Sequence, residues 1–88
     1  GMGGVAASPD GARVYLVSQT TNRVSVIDTL ARAHLGTIEV GPSPWSAAVS
    51  PDSSRIYVSN GGNSTVSVID AASNAVIASI PVFNQPFG

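Results

Sequence analysis

Hydrophobic residues in this chain fall into short runs separated by small polar and turn-forming residues. In the first half the runs cover residues 5–8, 13–18, 23–28 and 34–40, and they favour Val, Ile and Tyr. Their lengths and β-branched content are typical of strands. No run has the apolar spacing of an amphipathic helix. The pattern therefore predicts an all-β chain.

The same pattern occurs twice. A shift of 42 residues places Ser8-Pro9-Asp10 on Ser50-Pro51-Asp52, and it places residues 24–28 on residues 66–70, both of which read Val-Ser-Val-Ile-Asp. More than a third of positions 5–40 recur in this way without a gap. Ser-Pro-Asp is a turn signal, because proline fixes one backbone dihedral and aspartate can hydrogen-bond its own backbone.

Two repeat units fill the chain. We place the first at 1–42 and the second at 43–84, with 85–88 beginning a connection to a next unit. Gly1 before Met2 resembles the remnant of a removed tag. Four antiparallel strands in each unit match a propeller blade, whose repeats usually run about 40 to 45 residues.

The second unit carries the clearest resemblance to a known family. Arg-Ile-Tyr-Val-Ser-Asn at 55–60, followed by Thr-Val-Ser-Val-Ile-Asp at 65–70, resembles the YVTN family of β-propeller repeats. Residues 57–60 are a close variant of the tetrapeptide that names the family, and residues 15–18 diverge further. The resemblance implies a propeller of the kind found in extracellular, cell-surface and periplasmic proteins. It does not determine function, since such propellers include both binding proteins and enzymes.

Two blades do not close a propeller. In the second predicted strand Tyr15 and Val17 point to one face while Val14 and Leu16 point to the other, so both faces are apolar. Two blades bury only their shared interface and leave large apolar faces in water. We therefore expect the chain to complete a six- or eight-bladed propeller with copies of itself, as a homotrimer first and a homotetramer second. The alternative is a piece of a longer propeller.

Composition removes several function classes. Charged residues make up 10% of the chain and the net charge is -1, so nucleic acid is not an expected partner. With no cysteine and a single histidine, His34, the sequence predicts no metal and no cofactor. It also contains no continuous apolar stretch long enough to insert into a membrane.

Most charged residues have a structural interpretation. If the second and third strands pair with Ser18 opposite Arg23, then Arg13 faces Asp28, and the repeat sets Arg55 opposite Asp70. The aspartates of the Ser-Pro-Asp turns bond within those turns. Arg32, Glu39 and His34 are expected on the solvated outer rim.

The residues that the repeat does not dictate lie in loops at one end of the blades, in segments 18–23, 41–46, 59–65 and 83–87. Trp45, with Phe87 at the equivalent position, is the predicted anchor for a neutral polar ligand, and Arg23 is the candidate for an anion. The other predicted ligand-binding residues are Gln19, Asn22, Asn63, Asn84 and Gln85.

The sequence contains no recognisable catalytic constellation, since no histidine and acid accompany a serine in the pattern of a triad. We therefore expect a non-enzymatic interaction or ligand-binding module. The alternative is a subunit or fragment of a propeller enzyme, such as a lactonase-like hydrolase or a quinoprotein.

Overall fold

The computed structural model of the chain describes residues 2–81, which form eight strands joined by turns and loops. In chain order the strands are β1 (Met2–Ala7), β2 (Arg13–Ser18), β3 (Arg23–Asp28), β4 (Ala33–Glu39), β5 (Pro44–Val49), β6 (Arg55–Asn60), β7 (Thr65–Asp70) and β8 (Ala75–Pro81). They build two four-stranded antiparallel sheets, each with its strands in sequence order. We call β1–β4 blade 1 and β5–β8 blade 2. The predicted all-β fold with two such sheets is confirmed.

Strand pairing follows the predicted register. Arg13 lies opposite Asp28 and Ser18 opposite Arg23 in blade 1, and Arg55 lies opposite Asp70 in blade 2. The loops that set this register end on residues in the left-handed region, where φ is 57° at Asn22. Short polar residues such as asparagine adopt this conformation more readily than most side chains.

The prediction for the first strand was too short, since β1 starts at Met2 rather than at residue 5. Ser8 lies beyond the end of β1, where its hydroxyl bonds Asp10 in the turn. The described residues include no helix of the length and apolarity needed to cross a membrane.

The hydrophobic core is the contact between the two blades. Blade 1 contributes one face, which we call its front face, and blade 2 contributes the opposite face, its back face. The buried front-face residues are Tyr15, Val17, Val24, Val26 and Ile38 of blade 1. The buried back-face residues are Ile56, Val58 and Ile69 of blade 2. The two sheets therefore stack front to back, as adjacent blades of a propeller do.

The same repeat positions have opposite burial in the two blades. Tyr15 is 1% exposed, whereas Tyr57, its equivalent on the front face of blade 2, is 42% exposed. Conversely, Ile56 is fully buried, whereas its equivalent on the back face of blade 1, Val14, is only half-buried. Each blade thus has one covered face and one face that is open to solvent.

Polar contacts also cross between the blades. Arg13 donates from Nη1 to the carbonyl oxygen of Ala71 at 2.8 Å and to Oδ1 of Asn74 at 3.3 Å. The backbone N–H of Asp10 donates to the Ser53 hydroxyl at 3.3 Å. These bonds fix the angle at which blade 2 stacks on blade 1.

The predicted charge pairs behave differently in the two repeats. Arg55 and Asp70 form an ion pair at 3.5 Å. Arg13 instead reaches into blade 2, and Oδ1 of Asp28 accepts the backbone N–H groups of Leu30 and Ala31, each at 2.9 Å. The register prediction is therefore confirmed in both blades, but the described atoms form the ion pair only in blade 2.

Candidate functional site

The antiparallel order of the strands gives each blade two distinct ends. At one, which we call the loop end, lie the loops that follow β2 and β6 and the connection between the blades, at residues 19–22, 61–64 and 40–43. At the other, the turn end, lie the remaining turns, at residues 8–12, 29–32, 50–54 and 71–74. The sequence-based site lies at the loop end.

Trp45 is displayed by a β-bulge at the loop end. Pro44 pairs with Asn60 and Ser46 pairs with Ser59, so Trp45 is the extra residue between two paired positions. A bulge of this kind bends the strand and redirects the side chain it carries. Pro44 is fully buried, while the Trp45 side chain remains 49% exposed. The strand therefore anchors the backbone beside an accessible aromatic ring.

Asn22 positions the loop end rather than projecting freely from it. Its Oδ1 accepts the backbone N–H of Ser43 at 3.1 Å, and its backbone carbonyl accepts the N–H of Val40 at 3.1 Å. The loop after β2 is thereby tied to the connection that leads into Trp45. Asn22 thus acts first as a structural residue.

Arg23 is paired with an acid from the neighbouring strand. Its Nη2 lies 3.4 Å from Oε1 of Glu39, and both side chains are exposed. From the sequence, Glu39 was expected on the rim and Arg23 at a site, with no indication that the two side chains pair. The pairing lowers the positive potential that Arg23 offers to an anion, although an exposed pair is held together by only about 0 to 1 kcal/mol.

The remaining predicted residues are placed as follows. Gln19 is half-buried in the loop after β2, and exposed Asn63 accepts the Thr65 hydroxyl at 2.6 Å through its own Oδ1. Asn84, Gln85 and Phe87 lie outside the described residues. The described part of the site therefore consists of Trp45 with polar groups from both blades at one end of the molecule.

Sequence reasoning missed Asn60. This residue is fully buried, and its Nδ2 donates to the hydroxyl groups of Ser67 at 2.8 Å and Thr65 at 3.2 Å. Its Oδ1 has no hydrogen-bond partner among the described atoms, which is unusual for a buried acceptor. Asn60 matches the last residue of the tetrapeptide that names the YVTN repeats, and this resemblance was the available signal.

Gly41 lies directly against Asn60. A Cβ built on Gly41 would come 2.8 Å from the Asn60 Cγ, closer than side-chain atoms normally approach. The connection between the blades can therefore pass over Asn60 only because position 41 lacks a side chain. This contact seals Asn60 beneath the loop end.

A further hollow lies at the opposite, turn end. A cavity of about 340 Å³ is open to solvent where the two blades meet. Its lining residues are Ser8, Asp10, Ala12, Arg13, Tyr15, Ser53, Ser54, Asp70, Ala71 and Ala72. This cavity could not be predicted from the sequence, because it forms only where turns of different repeats come together.

The carboxylates at the turn end are largely occupied by their own turns. Asp10 accepts from the Ser8 hydroxyl at 2.6 Å and the Ala12 N–H at 2.9 Å, and these bonds hold its pKa below the ordinary value. Hydroxyl donors from Ser54 and then Ser50 lower the pKa of Asp52 to about 2. Both carboxylates are therefore ionised and engaged, which argues against a proton-transfer role.

His34 lies exposed on β4, paired in register with Ile27. Among residues 2–81 no group of three acidic or histidine side chains is arranged to hold a metal ion.

Comparisons with known proteins identify the fold. No family model matches the chain, and no curated protein sequence matches it either. Among solved structures, hydrazine synthase from Kuenenia stuttgartiensis superposes with a TM-score of 0.94 and 30% identity, over 98% of this chain and 24% of that one. AztD from Citrobacter koseri superposes with a TM-score of 0.86 and 23% identity, over 99% of this chain and 25% of that one. These proteins contain β-propellers. The chain is a pair of propeller blades.

A third similar structure is the dihydro-heme d1 dehydrogenase NirN, with a TM-score of 0.83 and 27% identity over 93% of this chain and 18% of that one. The chain thus spans about a quarter or less of the length of these proteins. The fold is shared, and the activities named for those proteins belong to much longer chains.

Proposed function

We propose that this chain is a non-enzymatic propeller module, related to the YVTN repeats, that binds a small polar ligand or a protein segment at its loop end. The observation that carries the proposal is Trp45, which a bulge holds half-exposed on a strand whose neighbouring residue is buried. Loops held on a rigid sheet scaffold are where binding residues concentrate. A preformed aromatic surface also reduces the conformational cost of binding.

The polar groups at the loop end favour a neutral ligand over an anion. Amide groups of Asn63 and Gln19 supply donors and acceptors at the same end of the molecule as Trp45. The predicted anion-binding residue, Arg23, already shares its charge with Glu39. An aromatic plane with amides at the same end of the blades is suited to uncharged polar molecules such as sugars, in which apolar faces alternate with hydroxyl groups.

The test uses a panel of neutral monosaccharides and N-acetylated sugars. Trp45 is the only tryptophan, so its fluorescence reports binding without a label. For any sugar that binds, Trp45→Ala is expected to weaken the affinity by at least about tenfold, measured by calorimetry. Leu30→Ala is the matched control, because Leu30 is 90% exposed at the turn end. A sugar that binds both variants as well as the unmodified chain would contradict the proposed site.

A second candidate function is a structural part of a propeller enzyme. It is favoured by the structural similarity to hydrazine synthase. The superposition covers 98% of this chain and 24% of the hydrazine synthase chain. In this case the chain would supply blades and part of a metal or cofactor site, and other segments would supply the remaining catalytic groups. Metal analysis and an absorption spectrum of the purified protein distinguish the candidates. A stoichiometric metal, or absorbance above the protein range, would favour the enzyme.

A further inference from the structure

We infer that the two open blade faces bind each other in separate copies of this chain, with the front face of blade 2 docked on the back face of blade 1 of a second copy. The contact between the blades within one chain provides the template. This inference concerns assembly and does not depend on the ligand site at the loop end.

Repeat equivalence provides the first argument. The open front face of blade 2 presents Tyr57 and Ile80, which stand at the positions of the buried Tyr15 and Ile38. The open back face of blade 1 presents Val14 and Leu16, which stand at the positions of the buried Ile56 and Val58. Each of these four open positions thus has an equivalent that is already covered, and the covering surface is the repeat of the other open face.

The polar contacts between the blades can be repeated in the same way. Arg13 reaches across to the backbone carbonyl of Ala71, a contact that does not depend on the side chain at position 71. Arg55 stands at the position of Arg13 beside the open front face, and Thr29 stands at the position of Ala71. Docking of a second copy would bring the Arg55 guanidinium to the Thr29 backbone.

The charges at the open faces are compatible with a second copy. Within the chain, Arg13 meets the uncharged Asn74 at 3.3 Å. The position of Asn74 is occupied in blade 1 by Arg32, and the open front face carries Asp70 beside Arg55, at 3.5 Å. Between copies Arg32 would therefore meet the Arg55–Asp70 ion pair, in which the carboxylate counters the repulsion between the two guanidinium groups.

A front-to-back contact is heterologous, so it either closes into a ring or continues as a fibre. Rings of three or four copies would contain six or eight blades, both common propeller sizes. Light scattering is therefore expected to give three or four times the chain mass of 8.9 kDa. A monodisperse monomer at micromolar concentration would overturn the inference and favour neighbouring blades from a longer protein.

Two variants, each altering a different face, distinguish front-to-back pairing from pairing of identical faces. Tyr57→Asp places a charge on the open front face and Leu16→Asp places one on the open back face. Each variant alone is expected to be a monomer, because every contact uses one face of each kind. Mixed in equal amounts, they are expected to form a one-to-one dimer through their two unaltered faces. Leu30→Asp, altered at the exposed turn end, should keep the mass of the unmodified chain.

Failure of the mixture to form the dimer, with both variants folded by circular dichroism, would overturn the inference. If a variant does not fold, crosslinking decides instead. The chain has no cysteine, so Thr29→Cys with Arg55→Cys introduces two defined sites at equivalents of the contacting Ala71 and Arg13. A short bismaleimide is expected to link successive chains of the double variant into dimers and higher species, and to leave Arg55→Cys alone as single chains. Only single chains from the double variant, or dimers from Arg55→Cys alone, would reject the front-to-back arrangement.

Discussion

Replacing Ile38 and Ile80 by alanine, one at a time, separates the effect of burial from that of sequence context. The two residues have the same identity and repeat position, and each lies opposite a valine, Val24 or Val66, on the same face of its blade. They differ in solvent exposure, since Ile38 is 6% exposed and Ile80 is 48% exposed. A stability difference between the two variants therefore measures what the neighbouring blade contributes.

The expected magnitudes follow from these exposures. Truncating a buried isoleucine to alanine costs about 2 to 5 kcal/mol, because transfer free energy is lost and a cavity remains. Ile80 in the isolated chain buries only about half of its surface, so Ile80→Ala should cost about 1 to 2 kcal/mol. A domain of this size has a total stability of about 4 to 13 kcal/mol. Because an alanine variant could lose most of this stability, the milder variants Ile38→Val and Ile80→Val are measured in parallel. Truncating a buried isoleucine to valine costs about 0.5 to 1.5 kcal/mol of unfolding free energy.

The assay is urea unfolding followed by far-ultraviolet circular dichroism, first at a dilution where light scattering shows single chains. Equal costs for the two alanine variants under that condition would refute the assignment of covered and open faces. Repeating the measurement at high protein concentration adds a second readout. If the open faces dock, the cost of Ile80→Ala should rise toward that of Ile38→Ala, because Ile80 is then buried as well.

Three further predictions concern single sites. Gly41→Ala should destabilise the fold by about 1 to 3 kcal/mol in thermal unfolding, because its Cβ would clash with Asn60. Gly61→Ala should cost less, because a Cβ at position 61 would lie 3.7 Å from the carbonyl oxygen of Ser43, an ordinary contact distance. Since the pKa of Asp52 is lowered to about 2, its contribution to stability is present above about pH 4 and is lost as the pH falls toward 2. In Asp52→Asn the unfolding free energy should therefore depend less on pH between about 4 and 2, measured by acid unfolding. Arg13→Met should lower the melting temperature by about 4 to 8 °C, because the hydrogen bonds from Arg13 to blade 2 are lost. An unchanged melting temperature would show that these bonds do not stabilise the stacking of the blades.

The amino-acid sequence by itself determined the two sheets and the bounds of the two middle strands in each blade, while the outer strands were placed to within one to three residues. Runs of β-branched residues define strand length, and loops such as residues 19–22 set the register that places Arg13 opposite Asp28. These are local properties, so the same sequence pattern produced the same strands in both repeats. Trp45 could also be singled out locally, because it is an aromatic residue in a loop segment, although the sequence alone did not determine its exposure.

Only the tertiary structure decided what each residue contacts. Tyr15 and Tyr57 occupy one repeat position, yet one is 1% and the other 42% exposed. Arg13 crosses to Ala71, whereas Arg55 pairs with Asp70. The physical reason is that burial and long-range bonds depend on the neighbouring blade, and within one chain blade 1 is covered on its front and blade 2 on its back. Repeat-equivalent residues therefore share a conformation but differ in their environment.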